Sequence, residues 1–209
     1  MNAIPALLDH LVLATPDLAA TVAEFTRRTG VTPAPGGAHV GFGTRNHLVS
    51  LGGSRYLEIV GPDPEQPEPD GRRPFDVDAL AGARTATWAI SPPDLDAAVA
   101  AARARGYDPG DIRPMSRRRP DGVLLEWRLT DGDTAHPSGL VPFLIDWRGA
   151  AHPASGLPVA PLLELTVTSP EPAEIQALLA TLDVRLDVRK GPVALSFTVD
   201  TPRGPVTFG

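Results

Sequence analysis

Residues Leu8–Leu18 read LDHLVLATPDL, an apolar run that ends at a Thr-Pro-Asp step and continues into a helical pattern. The pattern returns in Ala86–Leu95, which reads ATWAISPPDL, and again in Leu163–Glu171, which reads LELTVTSPE. Each copy is typical of a buried strand followed by a hydroxyl residue, proline, an acid and a helix. Because one pattern recurs along the chain, we expect repeated structural units.

The first copy predicts a strand, a helix and three further strands. Leu18, Val22 and Phe25 recur at helical spacing, and Gly30 is typical of a helix end. Thr15 is the predicted N-terminal cap of this helix. Glycines separate the three strands that we predict after it: Ala38–Phe42, Asn46–Leu51 and Arg55–Val60. The unit therefore has the order βαβββ.

The other two copies predict units of the same order. The second has a helix over Leu95–Arg105 and strands at Ile112–Ser116, Val123–Leu129 and Leu140–Trp147. The third has a helix over Pro172–Leu182 and strands at Val184–Val188, Ala194–Val199 and Pro205–Phe208. One such sheet cannot cover its own apolar face. We therefore predict an α+β fold in which repeated βαβββ modules form a cupped mixed β-sheet, with a third module beside it.

Proline-rich segments set the predicted boundaries. Residues 62–83 carry prolines among acids and arginines, which is typical of an exposed linker between units. This linker separates modules at 6–62 and 84–149, which together form a domain over residues 1–155. A second connector at 150–161 leads to the third module, at 156–209, which we expect to pack on the main domain.

Composition narrows the classes of function. The 209-residue chain has a net charge of −6, which argues against nucleic acid as a partner. It contains no cysteine, and this excludes disulfides, thiolate metal sites and cysteine nucleophiles. No apolar run approaches the roughly 20 residues that span a bilayer, and the first residues lack a signal-peptide pattern. We therefore expect a cytoplasmic protein without a membrane partner. The basic run Arg117–Arg119 is predicted to be a solvated turn, with an anion clamp as the alternative.

Several motifs together resemble the glyoxalase-like domain family of the vicinal-oxygen-chelate superfamily, which includes glyoxalase I, bleomycin-resistance proteins and extradiol dioxygenases. The matching segments are Leu8–Ala14, Pro16–Leu18, Gly36–His39, Gly43–Asn46, Tyr56–Ile59, Pro142–Trp147 and His152–Pro153. The resemblance covers most of residues 7–155 and implies that two βαβββ modules pair into a cupped sheet.

The resemblance also implies a divalent metal held by side chains of the first and last strands of each module. His10 and Glu58 occupy these positions in the first module and are the implied ligands. In the second module the same positions fall on Thr87 and Asp146, and Thr87 is a poor ligand for a hard metal. In the third, Glu164 stands near the position of His10. A nitrogen and oxygen ligand set does not distinguish Zn, Ni, Mn and Fe.

Further residues of the resemblance are candidates for the substrate pocket. His39 and Asn46 match motif positions and are expected in the pocket or in a turn. His47 shares strand parity with Val49 and Leu51, so it either points into the cup or is a buried structural histidine. Arg45 is either a clamp for a carboxylate or an exposed arginine. The three tryptophans are predicted to be core residues, with stacking on a ligand as the alternative.

The resemblance implies a glyoxalase-like lyase or isomerase that acts on a small oxygenated metabolite. Glu58 or Asp146 would carry the proton. One alternative is a non-catalytic small-molecule binder of the drug-sequestering type, which would use the same cup without metal. An extradiol-type dioxygenase is a second alternative, against which Thr87 argues, since that class needs a further histidine. A homodimer is the superfamily's usual assembly.

Overall fold

The structure is a computed structural model that describes residues 4–118, 121–130, 136–150 and 152–209. The first unit comprises β1 (Leu8–Ala14), α1 (Leu18–Thr29), β2 (Ala34–His39), β3 (Thr44–Gly52) and β4 (Arg55–Pro62). The second comprises β5 (Arg84–Ile90), α2 (Leu95–Ala104), β6 (Ile112–Arg118), β7 (Leu124–Thr130) and β8 (Phe143–Asp146). The third comprises β9 (Leu162–Ser169), α3 (Pro172–Thr181), β10 (Val188–Lys190), β11 (Ala194–Val199) and β12 (Val206–Phe208).

Eight strands form a closed barrel in the order β1-β4-β3-β2-β6-β7-β8-β5. Within the first unit, β1 runs parallel to β4 and β3 lies antiparallel to both of its neighbours. The units meet at two seams, where β1 pairs with β5 and β2 pairs with β6. The α+β class with a mixed sheet is thus confirmed, but the predicted cup closes on itself because both seams are hydrogen-bonded.

The third unit repeats the order of elements but not the order of strands. Its separate sheet has the order β10-β9-β11-β12, so its first strand lies between the second and third. In the first unit, by contrast, the first strand pairs with the fourth. The third unit therefore differs in topology from the first, although its apolar residues belong to the same core cluster as the outer face of the barrel.

Helix α1 begins two residues later than the predicted cap at Thr15 implies, and a different side chain caps it. Asp17 accepts a hydrogen bond from the backbone N–H of Ala20 at 2.9 Å, so Asp17 rather than Thr15 is the N-cap. The Thr15 hydroxyl instead contacts the Thr21 hydroxyl at 2.7 Å. Gly30 ends the helix with a φ of 76°, a conformation that glycine adopts without steric cost.

Alternation along the strands divides the apolar residues between two cores. The inner core lies inside the barrel, and the outer core lies between the barrel, the helices and the third unit. In β1, Leu11 and Leu13 face the helices and the third unit, whereas Val12 and Ala14 face the barrel interior. Because side chains of a strand point alternately to opposite faces, this parity decides which polar residues can reach the interior. No helix within the described ranges combines the length and apolarity that crossing a membrane requires.

The segment between β4 and β5 is more than the exposed linker that its composition predicts. It contains a short 3₁₀ segment, Pro74–Ala79, in which Val77 is fully buried and packs in the inner core. Phe75 and Asp76 have φ values of 61° and 51°, which are uncommon for residues other than glycine. Pro74 and Phe75 are thereby directed at the barrel interior.

Candidate active site in the barrel

One end of the barrel interior is open and forms a cavity of about 260 Å³, which we call the barrel cavity. Four of the residues that the sequence singled out line this cavity: His10, His39, Asn46 and Glu58. They come from β1, β2, β3 and β4, which are neighbours in the barrel. The inward parity of these strands therefore brings together side chains up to 48 positions apart in the sequence.

Glu58 is the central acid of the cavity and is only 8% exposed. Its Oε1 accepts a hydrogen bond from Asn46 Nδ2 at 2.6 Å and lies 3.3 Å from His39 Nε2. Its Oε2 lies 3.8 Å from His10 Nε2. Burial by itself raises the pKa of Glu58, but the hydrogen bond with His39, the charges of His39 and His10 and the bond from Asn46 together lower it to about 2. Glu58 is therefore an ionised carboxylate at neutral pH.

His10 is held on its other side by Asp9. The distance between His10 Nδ1 and Asp9 Oδ1 is 2.7 Å, and the imidazole stacks on Tyr56 with ring centroids 4.6 Å apart. Asp9 Oδ2 also accepts from Trp147 Nε1 and lies within hydrogen-bond distance of His152 Nε2, both at 3.1 Å. These bonds fix the ring of His10 with Nε2 toward Glu58.

Asp9 is a second buried anion. Burial raises its pKa, but the hydrogen bonds and charges of His10 and His152 outweigh that effect and lower it to about 2. Sequence reasoning missed this residue because strict alternation would put Asp9 and His10 on opposite faces. The pairing of β1 with β5 shifts register between Leu8 and His10, and such a bulge allows consecutive side chains to reach one region.

The lowered pKa values of Asp9 and Glu58 predict a loss of stability in acid. Their ordinary pKa values are 3.8 and 4.5, so the unfolded chain takes up protons at a higher pH than the folded one. The stabilisation is complete above about pH 5 and is lost as the pH falls toward 2, at a cost on the order of 2–3 kcal/mol for each carboxylate. Urea unfolding between pH 7 and pH 3 measures the effect. A free energy of unfolding that stays constant over this range would contradict it.

Arg117 is a buried cation of the barrel cavity, whereas the sequence predicts a solvated turn at this position. Its side chain is not part of a solvated turn: it is 3% exposed, lines the cavity, and Nη1 donates to Asn46 Oδ1 at 3.0 Å. In the rest of the basic run, Arg118 is exposed and Arg119 lies outside the described residues. A Cβ atom added at Gly36 would collide with Asn46 Oδ1 and Arg117 Nη1. Glycine at this position therefore makes room for the pair.

Three other predicted site residues do not reach the cavity. Asp146 alternates with Phe143, Ile145 and Trp147, which face the interior, and it binds Arg128 at 2.8 Å instead. His47 lies on the parity of Val49, which packs in the outer core, so it points away from the cup. Arg45 pairs with Asp63 and Glu65 at 3.6 and 3.1 Å. Their placement gives no support to catalytic or substrate-binding roles, and we leave them out of the proposed site.

The donors present do not fit the four-ligand metal site that the resemblance implies. His10 and Glu58 face the cavity, but Thr87 does not line it, Asp146 faces away and Glu164 belongs to the separate sheet. The guanidinium of Arg117 stands beside the Asn46 amide that binds Glu58, and its charge opposes a second cation there. Across the described ranges, no group of three or more His, Cys, Asp or Glu side chains has an arrangement suited to a metal ion.

Two of the three tryptophans, for which the sequence leaves core packing and ligand stacking open, shape the cavity. Trp127 and Trp147 line it with ring centroids 5.2 Å apart, whereas Trp88 is fully buried and donates to the carbonyl of Leu140 at 2.9 Å. The signal that could have separated them is parity, because Trp127 and Trp147 lie on the faces of β7 and β8 that turn inward.

Solved structures include a likeness over nearly the full length of the chain. A hypothetical protein from Staphylococcus aureus aligns with a TM-score of 0.64 and 13% identity over 97% of this chain and 98% of that one, which shows a shared fold. Methylmalonyl-CoA epimerases align less well. The Mycobacterium tuberculosis enzyme has a TM-score of 0.40, 18% identity and coverages of 68% and 87%. A Streptomyces coelicolor variant has a TM-score of 0.39, 24% identity and coverages of 66% and 92%.

No curated protein matches the sequence. A family model described as "Glyoxalase-like domain" matches residues 8–182, which is most of the chain. This range contains both units of the barrel together with β9 and α3. The chain therefore belongs to the glyoxalase-like domain family.

Proposed function

We propose that the protein is an enzyme of the lyase or isomerase type that moves a proton on a carbon atom next to a carbonyl group of a small oxygenated molecule. The observation that carries this proposal is Glu58, an ionised carboxylate buried at the wall of a cavity whose remaining lining is largely apolar. A buried, correctly placed carboxylate is the group that such chemistry requires.

In the proposed step, a substrate enters the barrel cavity with its acidic C–H directed at Glu58 Oε2. The carboxylate accepts the proton, and the electron pair of the C–H bond moves onto the carbonyl oxygen as an enolate. Positive charge in the cavity wall, supplied by Arg117, favours this oxyanion. Return of the proton to carbon or to oxygen completes an isomerisation.

Asp9 and His10 fix the surroundings of the Glu58 carboxylate for this step. Asp9 orients His10, and His10 Nε2 stands 3.8 Å from the carboxylate oxygen that is to receive the proton. A substrate that takes over the bond from Asn46 would remove one of the interactions that lower the pKa of Glu58, which would make the carboxylate a better base.

The proposal is tested by hydrogen exchange at carbon. Proton NMR in D₂O follows the C–H signals next to the carbonyl of hydroxyacetone, pyruvate and 2-hydroxyacetophenone with and without protein. We expect at least one of them to exchange about tenfold or more faster than in buffer. An Asp146→Asn variant serves as control and is expected to match the unmodified protein, since Asp146 faces away from the cavity. Binding of the probes without exchange of their C–H hydrogens would contradict the proposed enzymatic function.

A second candidate is a non-catalytic small-molecule binder, and one observation favours it. The pKa of Glu58 is about 2, and a carboxylate that holds its charge so firmly is a weak base toward carbon acids. The same exchange experiment separates the two candidates, because a binder takes up the probe without labelling it.

Metal removal gives a further prediction. Because the donors do not fit a metal ion, we expect dialysis against EDTA to change the exchange rate by less than about twofold, whereas loss of a catalytic metal costs on the order of 100-fold or more. Metal content is measured beside a His10→Ala/Glu58→Ala double variant. About one ion per chain that disappears in the double variant, together with lost exchange after EDTA, would show that these two residues hold a catalytic metal.

A further inference from the structure

Polar and apolar residues of the barrel cavity are divided between different strands. The strands of the first unit contribute His10, His39, Asn46 and Glu58, and β6 adds Arg113 and Arg117. Strands β7 and β8, with the residue that directly follows β8, contribute only apolar or aromatic side chains to the same cavity: Trp127, Leu129, Phe143, Ile145 and Trp147. A ligand that fills this space must therefore have one polar end and one apolar body.

Aromatic rings surround the space for the apolar body. Trp127 and Trp147 pack against one another. Phe143 and His10 make an edge-to-face contact with ring centroids 5.4 Å apart. Phe75 reaches the cavity from the 3₁₀ segment. Flat rings prefer offset or edge contacts with other rings and gain from them beyond the burial of area alone.

Phe42 extends this aromatic lining to the solvent. It lines the cavity but remains 40% exposed, so an apolar ligand that emerges from the cavity can cover it. Val40, two residues away, is 49% exposed and does not line the cavity. The two side chains lie in one turn and differ in whether they face the cavity, so they form a matched pair for a test.

The polar end of the cavity does not call for a charged ligand. Glu58 and Arg117 both bind the side-chain amide of Asn46, one through the amide nitrogen and the other through the amide oxygen. Their opposite charges face one another across this amide. Arg113, the other arginine of the lining, is exposed to solvent. An ionic group placed against the apolar wall of β7 and β8 would lose its hydration, because the lining side chains of these strands carry no charge.

We propose that the ligand is an uncharged arylketone-type compound, with a single aromatic ring held by β7 and β8 and neighbouring carbonyl and hydroxyl oxygens at Glu58 and Asn46. The inference rests on the proposed function for the placement of the oxygens and names the substrate class of that site. The proton transfer balances. Glu58 takes a proton from the carbon that bears the hydroxyl group, and the C–H electron pair forms the C=C bond of an enediolate. Glu58 then returns the same proton to the former carbonyl oxygen, which gives the enediol.

Isothermal titration with 2-hydroxyacetophenone and hydroxyacetone tests the ring directly, since the two compounds differ only by a phenyl group in place of a methyl group. We expect 2-hydroxyacetophenone to bind at least about tenfold more tightly, because the ring buries apolar area against the cavity wall. Equal affinities, or no binding of 2-hydroxyacetophenone at millimolar concentration, would overturn the proposal.

Two variants locate the bound ring. Phe42→Ala is expected to raise the Kd of 2-hydroxyacetophenone at least about threefold and to leave that of hydroxyacetone unchanged, while Val40→Ala changes neither. Equal effects of the two variants would overturn the proposed location. If the ring compound binds tightly but its C–H does not exchange, the proposed reaction fails and the ligand class stands. If hydroxyacetone exchanges and the ring brings no gain in affinity, only the ligand class fails.

Discussion

Glu58→Gln is expected to lower the rate of carbon-bound hydrogen exchange by about 1,000-fold, because an amide cannot accept the proton that the carboxylate takes from the substrate. Glutamine has nearly the same size and keeps a carbonyl oxygen for the bond from Asn46, which in the unmodified protein is 2.6 Å long. The variant should therefore still bind the probe. Proton NMR in D₂O gives the rate, and titration calorimetry gives the affinity.

The two measurements together distinguish a catalytic role from a structural one. A merely structural Glu58 would lose binding and exchange in parallel, whereas a base loses exchange while binding persists. Exchange that continues at the unmodified rate in Glu58→Gln would remove this residue from the reaction and would assign the proton transfer to another group.

Asp9→Ala is expected to lower the free energy of unfolding by about 3–5 kcal/mol at pH 7, as for other buried charges that lose their partner. The substitution leaves the donors of His10, Trp147 and His152 without the acceptor that they share, all in a region where water has little access. Asp9→Asn keeps one acceptor oxygen and should cost less. Urea unfolding followed by tryptophan fluorescence gives the values.

A carboxylate at the surface provides the matched control for Asp9. Asp96 pairs with Arg128 at 2.9 Å, but the Asp96 side chain is 64% exposed. Its replacement by alanine should cost less than about 1 kcal/mol, since exposed ion pairs contribute little. Similar losses in Asp9→Ala and Asp96→Ala would mean that the buried cluster does not depend on the Asp9 charge.

Local patterns in the sequence were sufficient for the elements and for part of the site. Helices α1 and α2 begin within two residues of the predicted positions, because their caps and apolar spacing act over only a few residues. The direction of the Glu58 side chain, which lines the cavity, follows from strand alternation. Glu58 stands between Leu57 and Ile59, which belong to the outer core, so alternation turns it inward.

Parity alone does not say which face of a strand will be the inside of a barrel. His47 shares strand parity with Val49 and Leu51. The apolar character of these two residues fits either face of the strand, since both faces of this sheet are covered. Asp146 is the expected counterpart of Glu58 in the second module, but Ile145 faces the cavity and Asp146 does not. A shift of one residue reverses the direction of every side chain in a strand.

Long-range pairing determined the rest of the candidate site. Arg117 reaches Asn46, 71 positions away, because β2 pairs with β6 and closes the barrel. Asp9 meets Trp147 and His152 across more than 130 positions, through a bulge in β1 that no local pattern marks. Propensities, caps and periodicity act within a few residues and could therefore be read from the chain. Closure of the sheet, its bulge and the charges that meet inside depend on contacts between distant segments, which only folding brings together.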